Sequence, residues 1–308
     1  MVVSTGNVPA HTAQTDVLPP WLSEELGIAP PPADELSDGG HSIHVGRSGH
    51  FALASVRVAD AGRLGPAQFQ QQVCDAYRQI AKLLKESGSP HPVRFWNNIP
   101  EIHRPAGDGT DRYMSFNAGR FRALAEWFGG ADVFAQLVPA ASGVGHPGQD
   151  LIIHALGGKS AGIPVSNPRQ IAPYRYSKRF GPLPPCFARA TLIRDVHDRP
   201  LLLVGGTASI RGEDSMHLQS LEAQTAETLE NLACLVASAR NAEYSADQRA
   251  NWLRRYSHLR VYYPRAADRQ KIMQALNDAF SHRPQFEFVH ADLCRAELLV
   301  EIEGAAEV

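Results

Sequence analysis

A carboxylate and a thiol stand close together in "ADLCRAELLVEIEG", residues 291–304: Glu301 and Cys294. A carboxyl group works best as a proton donor near neutral pH when burial lifts its pKa above the usual value of about 4.3. A free cysteine is most often a small buried hydrophobe, and its chemistry depends on its surroundings. Residues 298–302 read as a buried β-strand, in which successive side chains face opposite ways. Leu299 and Glu301 then share one face, and Leu298, Val300 and Ile302 the other. On spacing alone Glu301 reads as an outward, solvated glutamate. Only its surroundings can give it a chemical role.

A second concentration of chemistry lies in "GKSAGIPVSNPRQIAPYRYSKRFGPLPPCF". A loop of this length inside a folded domain is usually functional or disordered. Aromatic and basic residues are packed between Arg169 and Phe180, which favours an ordered loop lining a site. Tyr174 and Tyr176 lie two apart and share a face if the segment is extended. Tyr113 opens a predicted helix and is a candidate to point inward or to pack in the core. The histidines show no ligand-like spacing on one element. The cysteines, Cys74, Cys186, Cys234 and Cys294, are far apart and form no CxxC, which argues against a zinc site or a disulfide framework and for reduced thiols in the cytoplasm. No Walker loop, GxGxxG or HExxH is present, so no cofactor or metal is expected.

The chain has 308 residues, enough for one or two domains. Its net charge of −2 gives no global attraction to nucleic acid or membrane. No apolar run is long enough for a membrane span, and the N-terminus has no signal-peptide pattern. Residues 1–42 are rich in Pro, Gly, Ser and Asp and predict a loose arm that buries little. Beyond it the pattern is strands, helix, strand, helix, strand, given twice. The first half, residues 43–160, has strands at "HFALASVRV", "VRFWNNIP", "DVFAQLVPA" and "DLIIHALGG". Its helices are "PAQFQQQVCDAYRQIAKLLKESG" and residues 111–128. The second half, residues 161–308, has strands at "ARATLIRD", "RPLLLVGGTASI", "LRVYYP", "FEFVHADLC" and "ELLVEIEG". Its helices are residues 215–240 and "ADRQKIMQALNDAF". This predicts an α+β fold of two β-sheet/helix halves.

Seven stretches carry a resemblance when taken together: "RFWNNIP", "RYMSFNAGRFRA", "ASGVG", "NPRQIAPYRYSKRFGPLPPCFARA", "GGTASIRGEDSMH", "LEAQTAETLENL" and "CRAELLVEIEG". They resemble, in order, the successive blocks of the chorismatase family. That resemblance implies two YjgF-like (chorismate-mutase-like) halves, and cofactor-free cleavage of chorismate to pyruvate and a hydroxylated ring acid. It implies that Glu301 is the catalytic acid, protonating the methylene of the enolpyruvyl ether. Cys294 paired with Gly206 resembles the 3-hydroxybenzoate-forming type, in which internal displacement through an arene oxide replaces attack by water and some 4-hydroxybenzoate can accompany the product. The hydrolytic type, giving a dihydroxycyclohexadiene carboxylate, resembles this chain less, because it pairs an aliphatic residue with Ala.

Chorismate carries two carboxylates, which planar guanidinium forks suit best. Arg189 in "FARA" matches a family arginine and is the first candidate to hold one. Arg120 and Arg169 are further candidates, with support of loop carbonyls as the alternative role. Tyr174, Tyr176 and Tyr113 are candidates for substrate contact. The chain departs from the family pattern at Ser166, Glu213 and Leu183-Pro184-Pro185. A non-catalytic binder of aromatic acids is the reading from another class. Two halves in one chain predict a monomer.

Overall fold

The computed structural model describes residues 12–13, 17–29, 42–196, 199–280, 282 and 284–308. In chain order the main elements begin with helix α1 (Trp21–Leu26), strands β1 (Ser42–Ser48) and β2 (Phe51–Val58), helix α2 (Pro66–Glu86), strand β3 (His91–Pro100) and helix α3 (Arg112–Phe128). Strands β4 (Ala140–His146), β5 (Leu151–Gly158), β6 (Ala190–Val196) and β7 (Arg199–Ala208) follow, then helix α4 (Leu221–Ala239). Strand β8 (Tyr256–Tyr263), helix α5 (Arg269–Ala279) and strands β9 (Gln285–His290) and β10 (Glu301–Glu307) complete the chain.

The first sheet has the order β1-β2-β5-β3-β4. The second contains β6-β7-β10-β8-β9, flanked by the short strands Ile163–Val165 and Thr12–Ala13. Numbered within its own half, each sheet therefore runs 1-2-5-3-4. In both, the third and fourth strands are parallel, with a helix between them, and the other pairs are antiparallel. The parallel pair demands that crossover, and the final strand closes each sheet by inserting at its centre.

The helices follow from their apolar stripes. In α2, Phe69, Val73, Tyr77, Ile80 and Leu84 are all buried against the first sheet, and Pro66 occupies the first turn, where its missing N–H costs nothing. Asp111 caps α3 by accepting from Met114 N at 2.8 Å, and Gly129 ends it at φ 83°. A second core lies between α4, α5 and the second sheet. A third joins the two sheets: Leu53, Val93 and Leu156 from the first pack with Ile193, Leu201 and Leu203 from the second.

Three sequence expectations change. The arm is not loose where it is described: Leu18, Trp21, Leu22, Leu26 and Ile28 are buried in the core between the sheets, and Trp21 meets Trp96 at 5.9 Å. Polar composition hid a short amphipathic turn whose tryptophan alone is worth about 3–5 kcal/mol of packing. Thr12–Ala13 pairs with β9, and residues 1–11, 14–16 and 30–41 of the arm lie outside the described residues. "DVFAQLVPA" forms a helical turn, Phe134–Leu137, because Phe134 packs edge-on to Phe121 and Phe128 of α3. The long helix starts at Leu221, capped by Ser220, and leaves Leu218 exposed ahead of it.

Candidate active site

Residues 291–300 form a loop, and Glu301 opens strand β10 instead of standing near the end of a strand. The apolar run that reads as a strand is buried because the loop is folded inward. Gln224 of α4 fixes it, accepting from Leu299 N at 2.8 Å and donating to Glu297 O at 3.0 Å. Glu301 is therefore buried, only 3% exposed, opposite Ala208 of β7 and Tyr262 of β8.

Its room comes from a bulge. Strands β7 and β10 shift register between Val204 and Thr207, across Gly205 and Gly206. A Cβ at Gly206 would lie 2.1 Å from Glu301 Oε1 and 2.8 Å from its Cδ. Any side chain there must displace the carboxyl group. Gly205 serves a different purpose: a Cβ on it would lie 2.8 Å from Ala141 O of β4, so glycine lets the two sheets approach.

Burial pushes the Glu301 pKa up to about 8, and the negative Glu303 adds to the shift; Arg94, the Cys294 thiol and Arg189 oppose it. At neutral pH Glu301 is a carboxylic acid with a proton to give. Cys294 Sγ lies 3.8 Å from Glu301 Oε2. Burial, with the glutamate beside it, raises the thiol to about 12. Cys294 is thus a neutral thiol, a shaping group and weak donor rather than a nucleophilic thiolate.

Gly206, Cys294 and Glu301 line one side of a cavity of about 390 Å³, within the usual range of about 300–1,000 Å³ for small-ligand sites. The first half contributes Tyr113 and Arg120 from α3 and Ser142 from β4. The loop before β6 contributes Tyr176, Phe187 and Arg189. Burial raises the Tyr113 pKa, so its hydroxyl remains a neutral donor. Arg189 is buried beside Phe187 and donates to Tyr176 Oη at 2.5 Å and Ile171 O at 3.0 Å. Arg120 is buried between Phe116 and Phe187 and donates to Asn117 Oδ1 at 2.8 Å. The Nε of each is buried with no hydrogen-bond partner.

Arg295, next to Cys294, is a third cation on the cavity. Its Nη1 donates to Glu213 O and Ser215 Oγ at 2.9 and 3.0 Å, and its guanidinium lies 4.0 Å from the Phe180 ring centre. Among the described residues none of these three arginines is ion-paired with a carboxylate. Two buried cations and a half-buried one, all without protein counter-charges, suit an anionic ligand.

Two candidates fall elsewhere. Arg169 is held by α4: it donates to Glu227 Oε1 at 2.5 Å and to Asn231 Oδ1 at 2.9 Å, away from the cavity. Tyr174 packs edge-on to Phe134 at 6.3 Å. It parts from Tyr176 because Pro173–Arg175 is a 3₁₀ turn, not an extended segment. Arg295 and Glu303 were missed by the sequence reading. Adjacency to Cys294 points to the first. The alternation in "EIE" puts the second on the same face as Glu301.

Glu213, at a departure from the family pattern, accepts from Ser177 N and Ser177 Oγ at 2.8 Å each and pairs with Arg179 at 3.1 Å. It ties the Tyr176–Phe180 part of the loop down at the mouth of the cavity. Among the described residues no group of His, Cys, Asp and Glu is arranged to hold a metal ion, and no helix is long and apolar enough to cross a membrane.

A protonated carboxyl facing unpaired arginines, at the junction of two sheets of like order, defines a protein built to act on a small anionic molecule. The relatives narrow that class. The chorismatase FkbO/Hyg5-like N-terminal family matches residues 32–157. A 3-hydroxybenzoate synthase from Streptomyces hygroscopicus is 33% identical over 266 residues, covering 85% of this chain and 75% of that one. A chorismatase from the same organism is 30% identical over 281 residues, covering 91% and 78%. A crystal structure of a chorismatase superposes with a TM-score of 0.74 at 27% identity, covering 87% of this chain and 78% of that one. The chain belongs to the chorismatase family.

Proposed function

We propose that this enzyme converts chorismate to 3-hydroxybenzoate and pyruvate. The observation that carries the reading is the neutral carboxyl of Glu301 inside a cavity faced by Arg120, Arg189 and Arg295. The arginines take the two substrate carboxylates, with the Tyr113 and Tyr176 hydroxyls as further donors. Glu301 gives its proton to the terminal methylene of the enolpyruvyl ether. The resulting oxocarbenium ion weakens the bond from the ring to the ether oxygen. The neighbouring ring hydroxyl displaces that oxygen and returns its proton to the Glu301 carboxylate, pyruvate leaves, and the arene oxide opens as its oxygen gains a proton and the ring loses one, which makes the ring aromatic. Substrate atoms account for both products, so no water and no cofactor enters the balance.

Gly206 and Cys294 choose this course. Glycine leaves the Glu301 carboxyl where it stands, whereas an alanine methyl would displace it. The thiol fills the space next to it without bringing a charge or a water-binding group. The two halves, 43–160 and 161–308, share one core between their sheets, which supports a monomer, and four free thiols suit the cytoplasm.

The test is to incubate purified protein with chorismate and resolve the products against authentic standards. The expected result is 3-hydroxybenzoate with equimolar pyruvate, and a shift toward the non-aromatic diol in Gly206→Ala/Cys294→Val. A diol from the unaltered protein would discard the product assignment. Absence of turnover by folded protein would favour a binder of aromatic acids.

A further inference from the structure

Strand β10 carries two buried carboxylates on one face, Glu301 and Glu303, and only one of them reaches the cavity. Among the described residues the side-chain hydrogen bonds to the other all come from the first half of the chain, and Arg260 of β8, itself paired with Glu287, stands across the strand from it. Arg94 Nη2 of β3 donates to Glu303 Oε2 at 2.7 Å, and Trp96 Nε1 of β3 donates to Glu303 Oε1 at 2.9 Å. Ser142 Oγ of β4 also donates to Glu303 Oε2 and accepts from Arg94 Nη2 at 2.5 Å. Arg94 and Glu303 are both almost wholly inaccessible to solvent. Such a pair is a weak source of net stability, because desolvation offsets its attraction. Its geometry has another consequence, which rests on the acid role proposed for Glu301.

We infer that Glu303 is a positioning residue: the first half fixes it as a charged carboxylate beside Glu301, so that Glu301 is the member of the pair that holds the proton. Two carboxyl groups on one strand face, both cut off from water, cannot both ionise cheaply. Three donors select Glu303 as the anion. Glu301, left with a single weak thiol donor, keeps the proton. The other charged or titratable groups around the pair are Arg94 from β3, Arg189 ahead of β6, Cys294 from the preceding loop, Tyr113 from α3, and Tyr262 and Arg260 of β8, which stand across from Glu301 and Glu303. Of these, the nearby positive charges act against protonation, and Glu303 is the one carboxylate acting for it. The site is thus incomplete in the second half alone: β3 and β4 of the first half set the proton on β10 of the second.

The test is the pH profile of chorismate turnover in Glu303→Gln. An essential acid is active below its pKa and is lost as pH rises through it. Removing the neighbouring negative charge lowers that pKa, so the alkaline limb should move down by about 1 pH unit. Glu303→Gln alone strands Arg94 in the core and can impair folding. Arg94→Gln/Glu303→Gln removes both charges, and its alkaline limb should move the same way by less. A folded double variant whose limb coincides with the unaltered protein's would overturn the inference. Glu301→Gln, run alongside, separates the two claims. If it keeps its turnover, the acid role itself fails. If it is inactive while the limb of the double variant stays put, only the role of Glu303 fails.

Discussion

The two halves share a strand order and differ most in the strand that closes each sheet. In the first half that strand is β5, "LIIHALGG", wholly buried, with His154 joined to Ser55 of β2 at 2.7 Å. In the second half it is β10, "EIEGAAE", which presents Glu301 to the cavity and Glu303 to the first sheet. The same central position, buried in both sheets, is a structural seam in one half and carries the proposed acid in the other. Burial alone does not make a site. The carboxyl becomes useful because a bulge at Gly205 and Gly206 opens space beside it and because the other half supplies charges.

The widest predicted separation between the halves comes from Glu301→Gln. It keeps the shape of the side chain and loses the proton, so turnover should fall by about 10³-fold while circular dichroism remains native. The same residue gives a pH signature. The carboxyl's pKa is raised on folding, from its ordinary 4.5 to about 8, so ionising it costs folded-state stability. Thermal stability should decline as pH rises through that window, and Glu301→Gln should flatten this decline. Turnover should fall over the upper part of it. Near-native turnover in the variant would erase the contrast between β5 and β10.

A smaller effect tests whether both halves bind substrate. Arg120 comes from the first half and Arg189 from the second, and each charge-assisted contact is worth about 1.5–3 kcal/mol. Arg120→Met and Arg189→Met should each lower kcat/KM by about 10- to 100-fold. Arg169→Met should leave KM unchanged and lower the melting temperature, since Arg169 serves Glu227 and Asn231 on α4. Binding losses confined to one half would break the picture of a shared site.

These contrasts also show what the sequence could disclose. The doubled order of strands and helices was legible because apolar periodicity is local: the stripe from Phe69 to Leu84 predicts its own burial. Strand β1 was not, although its partner is the adjacent β2, because its seven residues, "SIHVGRS", hold only two apolar ones; helix α1 was not, because its partners lie in distant segments. Glu301, Cys294, Gly206 and Arg189, which the structure brings to one cavity, were picked out by motifs whose order survives in the chain. Arg169 and Arg189 look alike in one basic, aromatic loop, and only the carboxylate of Glu227 on α4 tells them apart. Glu303 was hidden for the same reason, since its partners lie some two hundred residues earlier.

The central claim is that an acid of the protein protonates the substrate's methylene. The most direct measurement is turnover of chorismate in deuterium oxide, with the released pyruvate trapped at once by reduction to lactate and its methyl group read by mass spectrometry. An exchangeable proton on Glu301 predicts a single deuterium in each methyl group. A methyl group carrying only hydrogen, passed directly from the ring, would contradict the account.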